Sequence, residues 1–323
     1  MDVTEYAQII TSTRVAEDPL LRGLYAFVAG KSHYTGRSYK TAIQMYIDFL
    51  GGDVHAIESA DAFVVTRFKQ HLQKQYSDAT VGQRLSAISS MYRYLVKQQI
   101  MDRNPVLLIE RGDVKVNPYE HARTITIEQF NDILINIPDT VAGKRDRAIF
   151  MMLYLSGLRR SSVLNLTGKD VQFAHGKVFF KTRLKGGRST TKELPQPVWV
   201  LIDDYLNAAG RTLQDHEAVF LPTTDAGDIL IAYHGRKHVS KGLSPELINQ
   251  KFKRYAKNSG VPGVSVHALR HLGAAMYYEA SKDIVETMNF LNHKHVNTTQ
   301  VYLQSLQGEE HDHWQAMMKH IYQ

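Results

Sequence analysis

Six side chains in the second half of this 323-residue chain are of the kinds that can break a phosphodiester: Arg159, Lys185, His267, Arg270, His293 and Tyr302. Two guanidiniums can hold a phosphate through paired N–H donors. Two imidazoles and an ammonium can move protons or offset developing charge, and a phenol can take the phosphorus covalently. Each residue alone has a plainer use. Arg159 follows a helix end at Gly157 and reads as a junction arginine, Lys185 sits in a glycine-rich turn, and a single tyrosine among 17 is ordinarily core or surface. Order and spacing set the group apart. His267 and Arg270 stand three apart, so at a helix start both point the same way while Leu269 turns to the core. A helix N-terminus there adds positive dipole that suits a phosphate.

These residues need elements to hold them. Residues 1–20 lack a clear pattern and are expected to form a tail or a first helix. Residues 21–108 are predicted to be an all-α domain of four helices, with apolar stripes through Leu24, Phe27 and Val28, through Tyr39, Ile43, Tyr46, Ile47 and Leu50, through Ala62, Val65, Phe68 and Leu72, and through Leu85, Ile88, Met91, Tyr92 and Leu95. Gly51-Gly52 and Pro105 punctuate them. Residues 109–122 are polar, carry Gly112 and Pro118, and suit a linker. In residues 123–305, Thr126 is placed to cap a helix with Gln129 in the capping-box position, and Arg147 to Leu158 reads as a buried helix. Val171 to Leu194 switches to strand chemistry, with Lys185-Gly186-Gly187-Arg188 as the turn of a hairpin. Helical patterns resume from Trp199, from Pro245 to Lys257, and from Ala268 onward. Residues 306–323 form an expected tail helix with Trp314, Met317, Met318 and Ile321 on one stripe. The predicted fold is mainly α, with one small antiparallel sheet in the second domain.

Composition narrows the chemistry. The net charge is +7, from 39 Lys/Arg against 32 Asp/Glu, which favours a polyanionic partner. Residues 1–110 are nearly balanced at 12 against 11, so most of the excess lies in the remainder. The chain has no cysteine, which excludes disulfides, thiolate catalysis and zinc fingers together. No apolar run is long enough to span a membrane, and the acidic, polar N-terminus is unlike a signal peptide, so a cytoplasmic location is expected. There is no Walker-type loop, and His311-Asp312-His313 reads as a polar helix start rather than a metal box. No metal or other cofactor is expected.

The motifs together resemble those of the tyrosine recombinases of the phage-integrase family, in their two-domain Xer or Cre form. Ser156-Gly157-Leu158-Arg159 is similar to that family's "TGLR" box, and Lys185-Gly186-Gly187-Arg188 followed by Glu193-Leu194-Pro195 resembles its β-hairpin lysine segment. His267-Ala268-Leu269-Arg270-His271 is its "HxLRH" box, and Leu291-Asn292-His293 through Thr298-Thr299 to Tyr302 resembles its "LGH…TxxYxx" ending. The catalytic likeness spans residues 123–305; residues 21–108 resemble, more weakly, the helical SAM-like core-binding domain. Two positions depart. Ser162 stands where the family usually has an acid that orients the clamp, and Asn292 replaces a glycine, a change that a left-handed backbone tolerates best.

The resemblance implies a fold and a reaction. Tyr302 would attack the scissile phosphorus to give a 3′-phosphotyrosyl link and a free 5′-hydroxyl, and exchange would pass through a Holliday junction without metal or ATP. Arg159 and Arg270 would neutralise the transition state, His267 would take the tyrosine proton or bond the phosphate, His293 would donate to the phosphate, and Lys185 would protonate the leaving oxygen. The partner would be double-stranded DNA with paired inverted half-sites, held in a C-shaped clamp by a homotetramer on two sites or a heterotetramer with a paralogue. Candidate backbone contacts are Lys69, Lys74, Arg84, Arg93 and Lys97 in the first domain, and Arg188, Arg236, Lys237, Lys241, Lys251, Lys253, Arg254 and Lys257 in the second. In such enzymes the tail after Tyr302 docks on a neighbouring subunit; packing on its own core is the simpler alternative. Competing readings are a type IB topoisomerase-like or telomere-resolving strand transferase, and a non-catalytic DNA-binding protein on the same scaffold.

Overall fold

A computed structural model describes residues 17–114, 124–183, 189–224, 226, 233–234, 237–238 and 242–293. The chain divides into two units, Met1–Asn117 and Pro118–Gln323.

The first unit is helical. Helix α1 (Pro19–Ala29) opens where Asp18 accepts from the Leu21 amide at 3.1 Å and proline fills the first turn, so it begins two residues before the helical domain expected from residue 21. Helices α2 (His33–Phe49), α4 (Ala62–Gln73) and α5 (Asp78–Lys97) follow, with a one-turn α3 (Ala56–Ser59) and a 3-10 turn at Pro105–Leu107 that periodicity alone did not predict. α3 is too short to show a stripe, yet it is anchored: Ile57 is fully buried and its carbonyl accepts from the Tyr92 hydroxyl at 3.1 Å. The apolar stripes of α1, α2, α4 and α5 meet in one core, where Tyr46 and Tyr92 share a 3.2 Å hydroxyl contact.

In the second unit α6 (Ile127–Ile135) starts with the expected capping box of Thr126 and Gln129. Helix α7 (Val141–Ser156) is the central element; Phe150, Ile149, Ala148 and Met152 on it are almost wholly buried. It begins six residues before the expected Arg147 because Thr140 caps the Gly143 amide at 3.1 Å. The polar Arg145 and Asp146 that hid this start in the sequence are both fully buried. Arg145 donates to Asp146 at 2.6 and 2.9 Å and to the Leu221 carbonyl at 2.9 Å, and Asp146 accepts from Tyr255 at 3.0 Å.

Helix α8 (Arg160–Leu164) and a 3-10 turn lead into strands β1 (Val171–Ala174), β2 (Lys177–Arg183) and β3 (Ser189–Leu194), an antiparallel sheet in the order β1-β2-β3. Val178 pairs with Leu194 and Phe180 with Lys192. Phe180 and Leu194 face the core, while Lys177 and Glu193 pair in solvent at 2.9 Å. Helix α9 (Gln196–Ala208) packs on α7. A second, two-residue hairpin, β4 (Tyr233–His234) with β5 (Lys237–His238), adds to the one sheet expected; strands so short carry no alternation to read. Helices α10 (Pro245–Asn258), α11 (His267–Ser281) and α12 (Ile284–Phe290) close the unit. The fold is mainly α, and no helix among the described residues is long and apolar enough to cross a membrane.

Candidate active site

The site begins where α7 stops. Gly157 takes a left-handed conformation (φ 61°), which ends the helix, and a side chain there would meet the Phe290 ring at 2.5 Å. Glycine is therefore required twice over at this turn. The chain then reverses so that Arg159 stands as the N-cap residue of α8, half-buried.

Arg270, from the first turn of α11, is 2% exposed. It donates to the carbonyl of Gly157, to the carbonyl of Leu291 at 2.7 Å, and lies 2.9 Å from His293 Nε2. Arginine has donors only, so Nε2 accepts and the neutral His293 carries its proton on Nδ1. The close fit of α11 on α7 depends on Gly273, where a Cβ would fall 2.1 Å from the Tyr154 carbonyl oxygen. His293 follows the end of α12 through Asn292, whose φ of 51° is the left-handed backbone the sequence led us to expect.

His267 leads α11 and is exposed to solvent, with its ring edge-on to His271 at 4.9 Å. The protein packed round the ring, then Arg270, Arg160 and Arg159, push its pKa down to about 4. Burial, then Arg270, Arg159 and His267, bring His293 to about 4 as well. Burial, His267, Arg270 and His293 bring His271 to about 3. All three imidazoles are neutral at pH 7. The helix starts at His267 as expected; its Ala268 and Leu269 amides bond back to Ser265 and Val266 at 2.9 and 3.3 Å, and guanidiniums supply the full charges beside the ring.

Arg159, His267, Arg270 and His293 thus lie within one another's electrostatic reach. Lys185 and Tyr302 lie outside the described residues, as do Arg188, Arg236, Lys241, His311-Asp312-His313 and the tail helix; of Lys237 only the backbone is described. Three features escaped the sequence reading. Arg160 is a further guanidinium bearing on His267, signalled only by its place beside Arg159. His271 completes a histidine cluster. Lys192 of β3 reaches the carbonyls of Ser156 and Phe290 under the same turns. Ser162, in place of the usual acid, lines a pocket of ≈ 400 Å³ with Thr167, Lys169, Asp170 and Lys181.

Two of the candidate DNA contacts are engaged within the protein. Lys69 is buried and pairs with Asp113 at 2.8 Å while donating to the Glu110 carbonyl at 3.1 Å, so it fastens the chain after the helical unit instead of facing outward. Lys251 turns inward to Asp146 at 3.2 Å. Arg84 is half-buried and reaches the Ser38 carbonyl at 3.4 Å. Lys74, Arg93, Lys97, Lys253, Arg254 and Lys257 are exposed.

A helical unit is followed by a mostly helical unit that gathers two arginines and neutral histidines, a set of groups suited to holding a phosphate. Residues 123–309 match the phage integrase family and residues 24–99 match the phage integrase N-terminal SAM-like domain. The chain is 30% identical over 237 residues to tyrosine recombinase XerC of Chlamydia trachomatis, covering 72% of this chain and 69% of that protein. It is 28% identical over 279 residues to tyrosine recombinase XerA of Thermococcus kodakarensis, covering 86% and 87%. Among solved structures, a lambda integrase (75–356) dimer bound to a COC′ core site has the same fold, with a TM-score of 0.66, 15% identity and 96% of each chain covered. A post-cleavage complex of XerH with a palindromic difH substrate gives 0.63 at 17% identity, covering 83% of this chain and 76% of that one. The chain belongs to the phage integrase family: it is a tyrosine recombinase, a site-specific DNA strand transferase.

Proposed function

We propose that this enzyme cleaves and rejoins duplex DNA through a phosphotyrosine at Tyr302, with Arg159, Arg270, His267, His293 and Lys185 as its catalytic set. The observation that carries this reading is Arg270, which ties the Arg159 turn, the His293 turn and the His267 helix to one point. Three guanidiniums there favour phenolate over phenol and offset charge on the non-bridging phosphate oxygens. Neutral His267 is in the form that accepts the Tyr302 proton. A bound phosphate offsets the guanidiniums that, after burial, help to lower the pKa of this imidazole, and so strengthens it as a base when substrate arrives. Neutral His293 offers Nδ1–H as a donor. The 5′-oxygen departs with a proton from Lys185, leaving phosphorus bonded to Tyr302; attack by a second 5′-hydroxyl reverses the step and makes the recombinant joint through a Holliday junction.

The substrate on this reading is a pair of sites with inverted half-sites, held by a tetramer, and the setting is the cytoplasm, in the service of a chromosome or a mobile element. A lambda integrase tetramer bound to a Holliday junction shares the fold, with a TM-score of 0.63 at 14% identity, covering 96% of this chain and 78% of that one. The test is an SDS-stable, protease-sensitive protein–DNA adduct on nicked duplex in EDTA. Wild type is expected to give it and Tyr302→Phe to lose it; an adduct that persists in Tyr302→Phe rules the assignment out. Removing residues 309–323 is expected to spare DNA binding and abolish synapsis, and full recombination by the truncated chain would disprove the exchanged tail.

A further inference from the structure

Lys192 lies on the floor of the site, and no part of the reaction above uses it. Its Nζ donates to the Ser156 carbonyl at 3.3 Å and to the Phe290 carbonyl, and stands 5.2 Å from the Phe290 ring centroid. Ser156 is the last residue of α7 and Phe290 the last of α12. Their carbonyls belong to the final turns of two helices, where acceptors lack intrahelical partners and the helix dipole is negative. A cation is the natural group to place between them.

The carbonyls one residue further along each turn, Gly157 and Leu291, are both taken by Arg270. Two cations therefore bridge the same two turns at successive main-chain oxygens, one from β3 and one from α11. One turn delivers Arg159 and the other His293. Phe290 fills the space a side chain at Gly157 would occupy, and its ring stacks on Tyr277 at 4.5 Å and 11°. Without the ammonium, two orphan carbonyls would confront each other across this contact and push the turns apart.

We infer that Lys192 is a positioning residue for strand cleavage, which together with Arg270 staples the Arg159 turn to the His293 turn. This rests on the phosphotyrosine reading above. Displacement of a phosphate clamp by about 1 Å costs on the order of 100-fold in rate, and that is the expected loss.

Burial, reinforced by the positive charge of Arg270, brings the Lys192 ammonium to about 8. From α11 it faces Arg270, from α7 and α12 it faces carbonyls and the Phe290 ring, and its strand neighbour Glu193 pairs with Lys177 in solvent. The staple should therefore open as pH rises past about 8, where a neutral amine binds both oxygens less strongly.

The experiment uses the full chain, with thermal unfolding as a check on folding. Single-turnover cleavage of nicked duplex by Lys192→Met is expected to fall ~100-fold at unchanged DNA affinity. Lys192→Arg, still charged and able to reach two carbonyls, should recover to within ~10-fold and lose the alkaline fall in rate above about pH 8. A substrate with sulfur as the 5′-leaving atom needs no proton on departure. It should rescue Lys185→Met but leave Lys192→Met slow; rescue of Lys192→Met would make Lys192 a proton donor and overturn the inference.

A readout independent of cleavage is the titration of His293 followed by NMR. It should rise from about 4 in Lys192→Met, as the turn opens to solvent and leaves Arg270, and stay at about 4 in Lys192→Arg. No adduct from wild type sinks the phosphotyrosine reading; an unmoved His293 in Lys192→Met sinks this one.

Discussion

At the scale of single residues the site is set by unusual backbone and by suppressed charge. Asn292 holds φ 51° at the turn before His293, a conformation that costs a β-carbon about 1–2 kcal/mol unless the side chain is small and polar. Asn292→Gly is therefore expected to cleave at the wild-type rate with equal or higher thermal stability, and Asn292→Val to lose both; equal behaviour of the two would show that the turn is not strained. The histidines make a second prediction. His271 titrates near 3 and His267 and His293 near 4 in the folded chain, against 6.5 when unfolded. Below about pH 6.5 the unfolded chain binds protons that the folded chain refuses, so stability falls as pH drops from 6.5 toward 3. In urea titrations across that range, His271→Gln should reduce the slope by about one proton, or roughly 1.4 kcal/mol per pH unit. A slope equal to wild type would place the acid sensitivity elsewhere. The sequence displayed Arg159, Arg270, His267 and His293 through their spacing. It could not display that Arg270 serves main-chain oxygens, because a carbonyl is the same at every position.

At the scale of elements, helix–helix contact does the aiming. Gly273 lets α11 approach the Tyr154 carbonyl, and Arg270 sits one turn earlier on the same helix. Gly273→Val is expected to lift α11 from α7, cutting cleavage at least ~100-fold and lowering the unfolding midpoint; a fully active Gly273→Val would show that the approach is not needed. Buried charge fixes the other side of α7. Asp146→Ala strands Arg145, and should destabilise the catalytic unit by about 3–5 kcal/mol in denaturant unfolding. A loss below about 1 kcal/mol would mean that water replaces the carboxylate. These two positions also show where pattern reading stops. Stripes, the Thr126–Gln129 capping box and the hairpin were legible because each is local, with all its determinants within a few residues. The first turns of α7 were not, since Arg145 and Asp146 look like surface until Tyr255 and Lys251, more than a hundred positions away, close over them.

At the scale of the whole molecule the relevant quantity is the surface charge left after internal pairing. Lys69 and Lys251 are spent inside, whereas Lys253, Arg254 and Lys257 line the outside of α10. Replacing those three with glutamine is expected to weaken binding to all duplexes alike and to flatten log K against log salt by roughly 0.9 for each phosphate no longer neutralised. Lys69→Met should leave that slope alone and lower the stability of the helical unit. An unchanged slope in the triple variant would take α10 off the DNA face. One consequence reaches past this chain. The joint between the Arg159 and His293 turns ends on main-chain oxygens, and every amino acid supplies one. Positions 156 and 291 therefore carry no record that the joint exists, and 157 and 290 record only the ring packed where a side chain at Gly157 would lie, so a search for pairs of positions that change together would pass over its hydrogen bonds. In any relative, its presence can be judged only from the two cations and the path of the backbone.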